Sequence, residues 1–347
     1  MSRFLYQLKY ESPYNITEKS LRYDININQA KEIRIEKTPE IQKILRTYLS
    51  SSEENKYLSP SGLSNYLRCK LKFYFRYVAG IKEQDEVTEE IDAPLFGNIL
   101  HEAMDTLYQH LKGKTVLPET LSEILKDGRQ ITASIDHAFN KNYFKNHQAD
   151  YSGKNIIIRE IIEKYVKQLV KRDAEIAPFK ILSLEDNYQI EIPFNLEEAS
   201  ETVNLGGKID RVDEMDNRIR IIDYKTGNDT LDYQNIEAIF SDKKTGQRSA
   251  VFQTFLYSKF YQDIKKPEMP VVPGVYSVKH LFDNSFEYKI YNKETKSYIN
   301  HYGEVADEYL QHLTHLMEEI FNPEIAFTQT EEISYCKYCP YRKICHR

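Results

Sequence analysis

Two short segments constrain this chain more than any other: Gly206-Gly207-Lys208-Ile209-Asp210-Arg211-Val212-Asp213, and Ile221-Ile222-Asp223-Tyr224-Lys225-Thr226-Gly227. In the first, Ile209 and Val212 are broken by Asp210 and Arg211; in the second, Ile219, Ile221 and Ile222 run into Asp223. With Glu214-Met215-Asp216-Asn217 as the turn, the pattern predicts a β-hairpin that sets Asp210 and Asp223 side by side. Two apposed carboxylates suit a hard divalent cation, which takes oxygen ligands. Lys225, two residues past Asp223, returns to the same strand face. Tyr224 points the other way and leaves its backbone carbonyl as a candidate ligand. Such a set fits phosphodiester hydrolysis, where a cation polarises the phosphoryl group and lysine orients water or meets the developing charge. A surface hairpin with an Asp, a Lys and a turn glycine is the plainer reading of the triplet alone, so other parts of the chain must decide.

Phe96-Gly97-Asn98-Ile99-Leu100-His101-Glu102 opens a helical pattern continuing through Met104, Leu107, Tyr108 and Leu111, and places His101 near a helix start. Downstream, Gln253 and Tyr257 share a face of a helix expected from about Ser249 to Tyr261. Taken singly, His101 reads as an ordinary polar residue and the Gln/Tyr pair as solvated or capping. In order, G-x-x-x-H, G-x-x-D-x-x-D, D-Y-K-T-G and Q-x-x-x-Y resemble the PD-(D/E)XK nuclease superfamily, in its RecB-type and AddB-type branch. The resemblance implies a restriction-endonuclease-like α/β fold, a mixed sheet flanked by helices with a helical insertion. It also implies a metal-dependent deoxyribonuclease. Asp210 and Asp223 would hold Mg or Mn with His101, Lys225 would assist water and transition state, and Gln253 would position Lys225 or the phosphate. Tyr257 would buttress the DNA channel, the Tyr224 carbonyl would be a further ligand, and Glu185, on a neighbouring strand, would join the metal site. Arg211 and Asp213 read as structural supports.

The chain has four cysteines, Cys69 and then Cys336, Cys339 and Cys345 in a C-x2-C-x5-C tail, so a joint site would tie the two ends of the domain together. With no secretory apolar stretch and no run near membrane-span length, the expected compartment is a reducing cytoplasm, where thiols bind metal rather than pair. Four thiolates suit tetrahedral zinc, with His346 as an extra ligand, as well as iron and sulfur. The resemblance favours a 4Fe-4S cluster held by all four cysteines, a staple with no redox step in a hydrolysis.

A net charge of −6 argues against a general nucleic-acid binder. Locally, Ser64–Tyr77 carries Arg68, Lys70, Lys72 and Arg76 among five aromatics with no acid, and the cysteine tail, with Arg342, repeats that character. Joined by a cluster, the two would form a basic aromatic rim able to track phosphates and stack bases; the alternative is helix core with a solvated basic edge.

Residues 1–56 read as a linker, or as the remnant of a preceding helicase-like domain, so the chain is expected to be the C-terminal part of a longer helicase-nuclease. Residues 57–347 read as the nuclease domain, with 113–180 a helical insertion able to wall or gate a channel and 336–347 the cysteine tail. A helix from Ser59-Pro60-Ser61 is expected to carry Cys69, with further helices over 95–112, 119–147, 154–177 and 297–321. Strands are expected at Ile181–Glu185, Tyr188–Phe194, Val271–Val278 and Phe286–Tyr291. The function expected is an exonuclease in double-strand break repair, with DNA and a helicase as partners and no membrane. The alternatives are a catalytically retired DNA-binding module, a CRISPR-adaptation-type nuclease and a zinc interaction protein.

Overall fold

The computed structural model describes residues 3–17, 19, 32–82, 91–145, 151–196, 199–241 and 248–347. It divides into two compact units, Met1–Glu32 and Ile33–Arg347. In the first, the helix Arg3–Tyr10 buries no residue and leaves Phe4, Leu5, Tyr6 and Tyr10 exposed. The boundary differs from the expected 56, because residues 33–56 are part of the second unit. Arg34–Ile35 pairs with Phe327–Thr328, and the helix Pro39–Arg46 buries Leu45. Leu49 and Leu58 bridge to Val203 and Leu205. These leucines are too sparse to show a period in the sequence; they find their partners in distant strands.

In chain order the main helices are α1 (Pro60–Arg68), α2 (Ala93–Tyr108), α3 (Pro118–Asp127), α4 (Arg129–Asn142), α5 (Lys154–Ile176), α6 (Ser249–Lys265) and α7 (Ala306–Phe321). The central sheet has the order β1 (Thr115–Val116), β2 (Phe179–Leu196), β3 (Ala199–Met215), β4 (Arg218–Lys225) and β5 (Val271–Ser277). Neighbours are antiparallel except β4 and β5, which run parallel and are joined through α6. The result is a mixed α/β sheet flanked by helices, as the resemblance implies.

Side-chain alternation explains the layers. In the second half of β2, Tyr188, Ile190, Ile192 and Phe194 are buried while Gln189, Glu191, Pro193 and Asn195 are exposed, a period of two. Those apolar residues meet Val203, Leu205, Ile209, Ile219 and Ile221 in one core with α1, α6 and α7. The opposite core holds α2 to α5 against Phe179, Ile181, Ile222, Tyr224 and Tyr276. The expected helical insertion therefore shares a core with the sheet. Central strands covered on both sides read as near-continuous apolar runs, and every residue of β5 is buried.

Several boundaries move for local reasons. The hairpin turn is two residues, Asp216 and Asn217, at φ of 50° and 56°, so Glu214 and Met215 stay in β3. Asp and Asn are the side chains that tolerate this left-handed conformation best after glycine. Gly128, at φ 67°, splits the expected helix 119–147 into α3 and α4. Two strands expected before residue 195 are one, β2, continuing through Glu185. The helix expected from 297 begins at Ala306, because Ser297–Tyr298 turns back to pair with Tyr291–Asn292, to which the strand expected at 286–291 is reduced.

Candidate active site

Three neighbouring strands carry a row of carboxylates. Leu184 and Asp186 face Arg211 and Ile209 across β2 and β3, and Arg211 faces Ile222 across β3 and β4. The adjacent positions on the three strands are Glu185, Asp210 and Asp223. The hairpin ladder ends there, and the Tyr224 amide donates to Asp210 Oδ2 at 2.8 Å. Glu185 takes φ 49° inside a strand, a conformation costly for a side chain with a Cβ.

His101 comes from α2, which starts at Ala93, capped by Asp92 accepting from the Leu95 amide at 2.9 Å. The imidazole therefore stands two turns into the helix and not near its start. Gly97, one turn earlier, lets the helix close on the end of β4, since a Cβ there would come within 3.2 Å of Thr226 Oγ1. His101 Nε2 then sits 2.9 Å from the Tyr224 carbonyl, which can only accept, so Nε2 carries the proton. Nδ1 is left facing Asp210 Oδ2 at 3.3 Å and Glu185 Oε1 at 3.7 Å. Among the described residues, His101, Glu185 and Asp210 are the group of three or more His, Cys, Asp or Glu whose ligand atoms all lie within 4.8 Å of one another.

Asp223 and Lys225 share a face of β4. The Lys225 ammonium donates to Asp223 Oδ1 and to Gln253 Oε1, both at 2.9 Å, and the Gln253 amide donates to the Tyr257 hydroxyl at 2.6 Å. Asp223 Oδ2 is buried and accepts no hydrogen bond among the described residues, although the ammonium lies 2.7 Å from it off the hydrogen-bond direction. The Tyr224 ring lies on the opposite face, with its hydroxyl 3.3 Å from Arg211. His101, Glu185, Lys208, Asp210, Gln253 and Tyr257 all line one cleft of about 470 Å³.

Electrostatics follow from this crowding. Burial opposes a charged imidazole at His101, but Asp210 and Glu185 outweigh it and raise its pKa to about 10. Burial also pushes Asp210 up, and His101 and Lys225 more than reverse this, leaving it below its usual range. Asp223 is raised to about 6 by burial, against the pull of Lys225 and with the push of Asp210. Lys225 is held above its usual value because Asp223 and Asp210 overcome its burial. Three carboxylates and an imidazole, one buried oxygen without a hydrogen bond, are a donor set that fits a hard divalent ion.

The four cysteines line a second pocket, of about 80 Å³, with Arg68, Lys72, Tyr335 and Arg342. Cys69 is not inside a helix as expected; it sits at φ −163° in the break between α1 and the turn Lys70–Phe73. Burial, then the neighbouring thiols, raises Cys336, and Cys345 is raised likewise. His346 does not line the pocket.

The basic residues near it are partly engaged within the chain. Arg68 contacts Ser249 and lies over the Tyr335 ring, Lys70 pairs with Glu319, and Arg76 lies over Tyr77. Tyr338 is 86% exposed, with Lys337 over its ring. Tyr257, buried, belongs to the cleft instead.

Sequence reasoning missed the network beneath the site. Arg211, Arg220, Asp213 and Asp173 are wholly buried. Asp213 accepts from both arginines at 2.6–2.8 Å. Asp173 accepts from Arg211 and Tyr108 at 2.7 Å and from Tyr276 at 3.0 Å. Arg211 and Asp213 are thus supports, and their hub, Asp173 on α5, had no motif to betray it.

A profile of the PD-(D/E)XK nuclease superfamily matches residues 57–346. The chain is also similar to ATP-dependent helicase/deoxyribonuclease subunits of three bacteria. It is 24% identical to that of Clostridium tetani over 229 residues, 63% of this chain and 19% of the relative. It is 30% identical to that of Clostridium perfringens over 198 residues, 52% and 16%. With the Streptococcus agalactiae protein identity is 23% over 295 residues, 81% and 24%. The chain thus spans at most about a quarter of these relatives' length. With the matched profile spanning every element that builds the cleft, this chain belongs to the PD-(D/E)XK nuclease superfamily.

Proposed function

We propose that the cleft hydrolyses DNA phosphodiesters with Mg or Mn held by His101, Glu185, Asp210 and Asp223. The observation carrying this is the carboxylate row facing an imidazole nitrogen, with an ammonium fixed beside it. When bound, the ion would polarise the phosphoryl group and lower the pKa of the attacking water. His101 is oriented by its Nε2–H bond to the Tyr224 carbonyl, which turns Nδ1 toward the carboxylates and engages the backbone oxygen that was itself a candidate ligand. Lys225, held protonated by Asp223 and Asp210, is suited to orient water and to meet developing negative charge, not to accept a proton. Gln253, anchored by Tyr257, fixes that ammonium.

The cysteine pocket is read as the seat of a 4Fe-4S staple. Four sulfurs lining one pocket support a shared metal site, and the preference for the cluster over zinc rests on the resemblance. Arg68, Lys70, Lys72, Arg76 and Arg342 are assigned to DNA contact, with exposed Tyr338 as a stacking platform. The relatives' names join a helicase to a deoxyribonuclease, which supports a DNA nuclease working with a helicase; the chain is read further as an exonuclease of double-strand break repair in the cytoplasm. No helix among the described residues is long and apolar enough to cross a membrane.

The test is Asp223→Ala. The variant should fold, bind less Mn and cleave no DNA; full cleavage would refute the assignment, and binding without cleavage by the unmutated chain would favour a retired binding module.

A further inference from the structure

Lys208 has no part in the mechanism above, yet it stands inside the same cleft. It lies two residues before Asp210 on β3 and lines the cleft together with that carboxylate. Its ammonium contacts Glu185 Oε2, while Glu185 Oε1 faces His101 Nδ1 at 3.7 Å. The Lys208 side chain is 54% exposed and that of Glu185 only 16%. Across the β2–β3 ladder Lys208 faces Asn187, which also lines the cleft.

An ammonium and a divalent ion compete for the same carboxylate oxygens. Glu185 is fixed by its left-handed backbone in mid-strand, and the long, half-exposed lysine is the member of the pair free to swing. The carboxylate row that attracts a cation also repels a phosphodiester. A positive group displaced from that row, still inside the cleft, would meet the nucleic acid where the repulsion is greatest. We propose that Lys208 is a transferable cation: it holds Glu185 while the row is empty, yields that carboxylate to the divalent ion, and then binds a backbone phosphate of the DNA in the cleft. This rests on the nuclease reading.

The test compares the full chain with Lys208→Gln and Lys208→Arg, both confirmed folded by thermal denaturation. Mn²⁺ is titrated calorimetrically without DNA, and DNA binding is then measured against salt with Ca²⁺ in place of the catalytic ion. Lys208→Gln should bind Mn²⁺ about two- to fivefold tighter, the loss of one exposed ion pair. Its log–log salt slope for DNA should fall by about one, and Lys208→Arg should restore it. Unchanged or weaker Mn²⁺ binding in Lys208→Gln, or an unchanged slope, would overturn the inference. If the unmutated chain neither binds Mn²⁺ nor cleaves DNA, the nuclease reading fails and takes the inference with it. If it does both and Lys208→Gln matches it in both titrations, this inference alone fails.

Discussion

At the scale of single residues, the proposed metal site would couple ion binding to protons. Ligation through His101 Nδ1 requires a neutral imidazole, yet the carboxylates raise that pKa to about 10. Asp223, at about 6, carries a second proton below that pH. Each proton must leave for the ion to bind, so affinity rises with pH. About one proton should be released per Mn²⁺ at pH 8 and close to two at pH 5. Calorimetry in buffers of differing ionisation enthalpy measures this; no release at pH 8 would contradict the pairing of His101 with Asp210, and release that does not rise at pH 5 would contradict the raised Asp223. Lys225→Ala removes the cation fixed by Asp223 and Gln253 and should lower the cleavage rate by at least about 10²-fold. Asp210, Asp223 and Lys225 were legible because strand period and hairpin pairing follow from local sequence. Lys208 lies in the same motif, but its partner Glu185 is contributed by another strand.

At the scale of elements, β2 holds a carboxylate in place by a backbone it would not choose. Both Glu185→Gly and Glu185→Ala lose the carboxylate, but only glycine is at ease at φ 49°. Glu185→Gly should therefore be about 1 kcal/mol more stable than Glu185→Ala in chemical denaturation; the reverse order would rule out strain there. The hairpin below the site rests on Asp213, which serves both Arg211 and Arg220. Asp213→Ala leaves two buried guanidiniums short of an anion and should cost about 3–5 kcal/mol, read as a lowered denaturation midpoint. A loss under about 1 kcal/mol would refute its structural role. Cys69, in the break after α1, should behave as a clamp. Anaerobically prepared Cys69→Ser should lose iron and sulfide and melt lower, and an unmutated chain carrying zinc instead would overturn the cluster. The break itself was hidden, because the helical pattern runs across Cys69 without a proline or glycine to interrupt it.

At the scale of the whole molecule, the helices either side of the sheet converge on one cleft. α2 delivers His101, α6 delivers Gln253 and Tyr257, and the strands deliver the carboxylates. The ordering of motifs along the chain made the mixed sheet and its flanking helices readable, since each motif marks an element with its own period. What stayed unreadable was set by tertiary contacts alone. Residues 33–56 join the body through Leu45, Leu49 and Leu58, and Asp173 becomes a hub only when α5 lies under β3. The most direct measurement of the central claim is cleavage of end-labelled single-stranded and duplex DNA by the anaerobically purified chain with Mn, Mg or EDTA, beside Lys225→Ala. The account predicts cleavage with either metal, none with EDTA and almost none by the variant; cleavage that persists in EDTA, or that Lys225→Ala leaves unchanged, would contradict it.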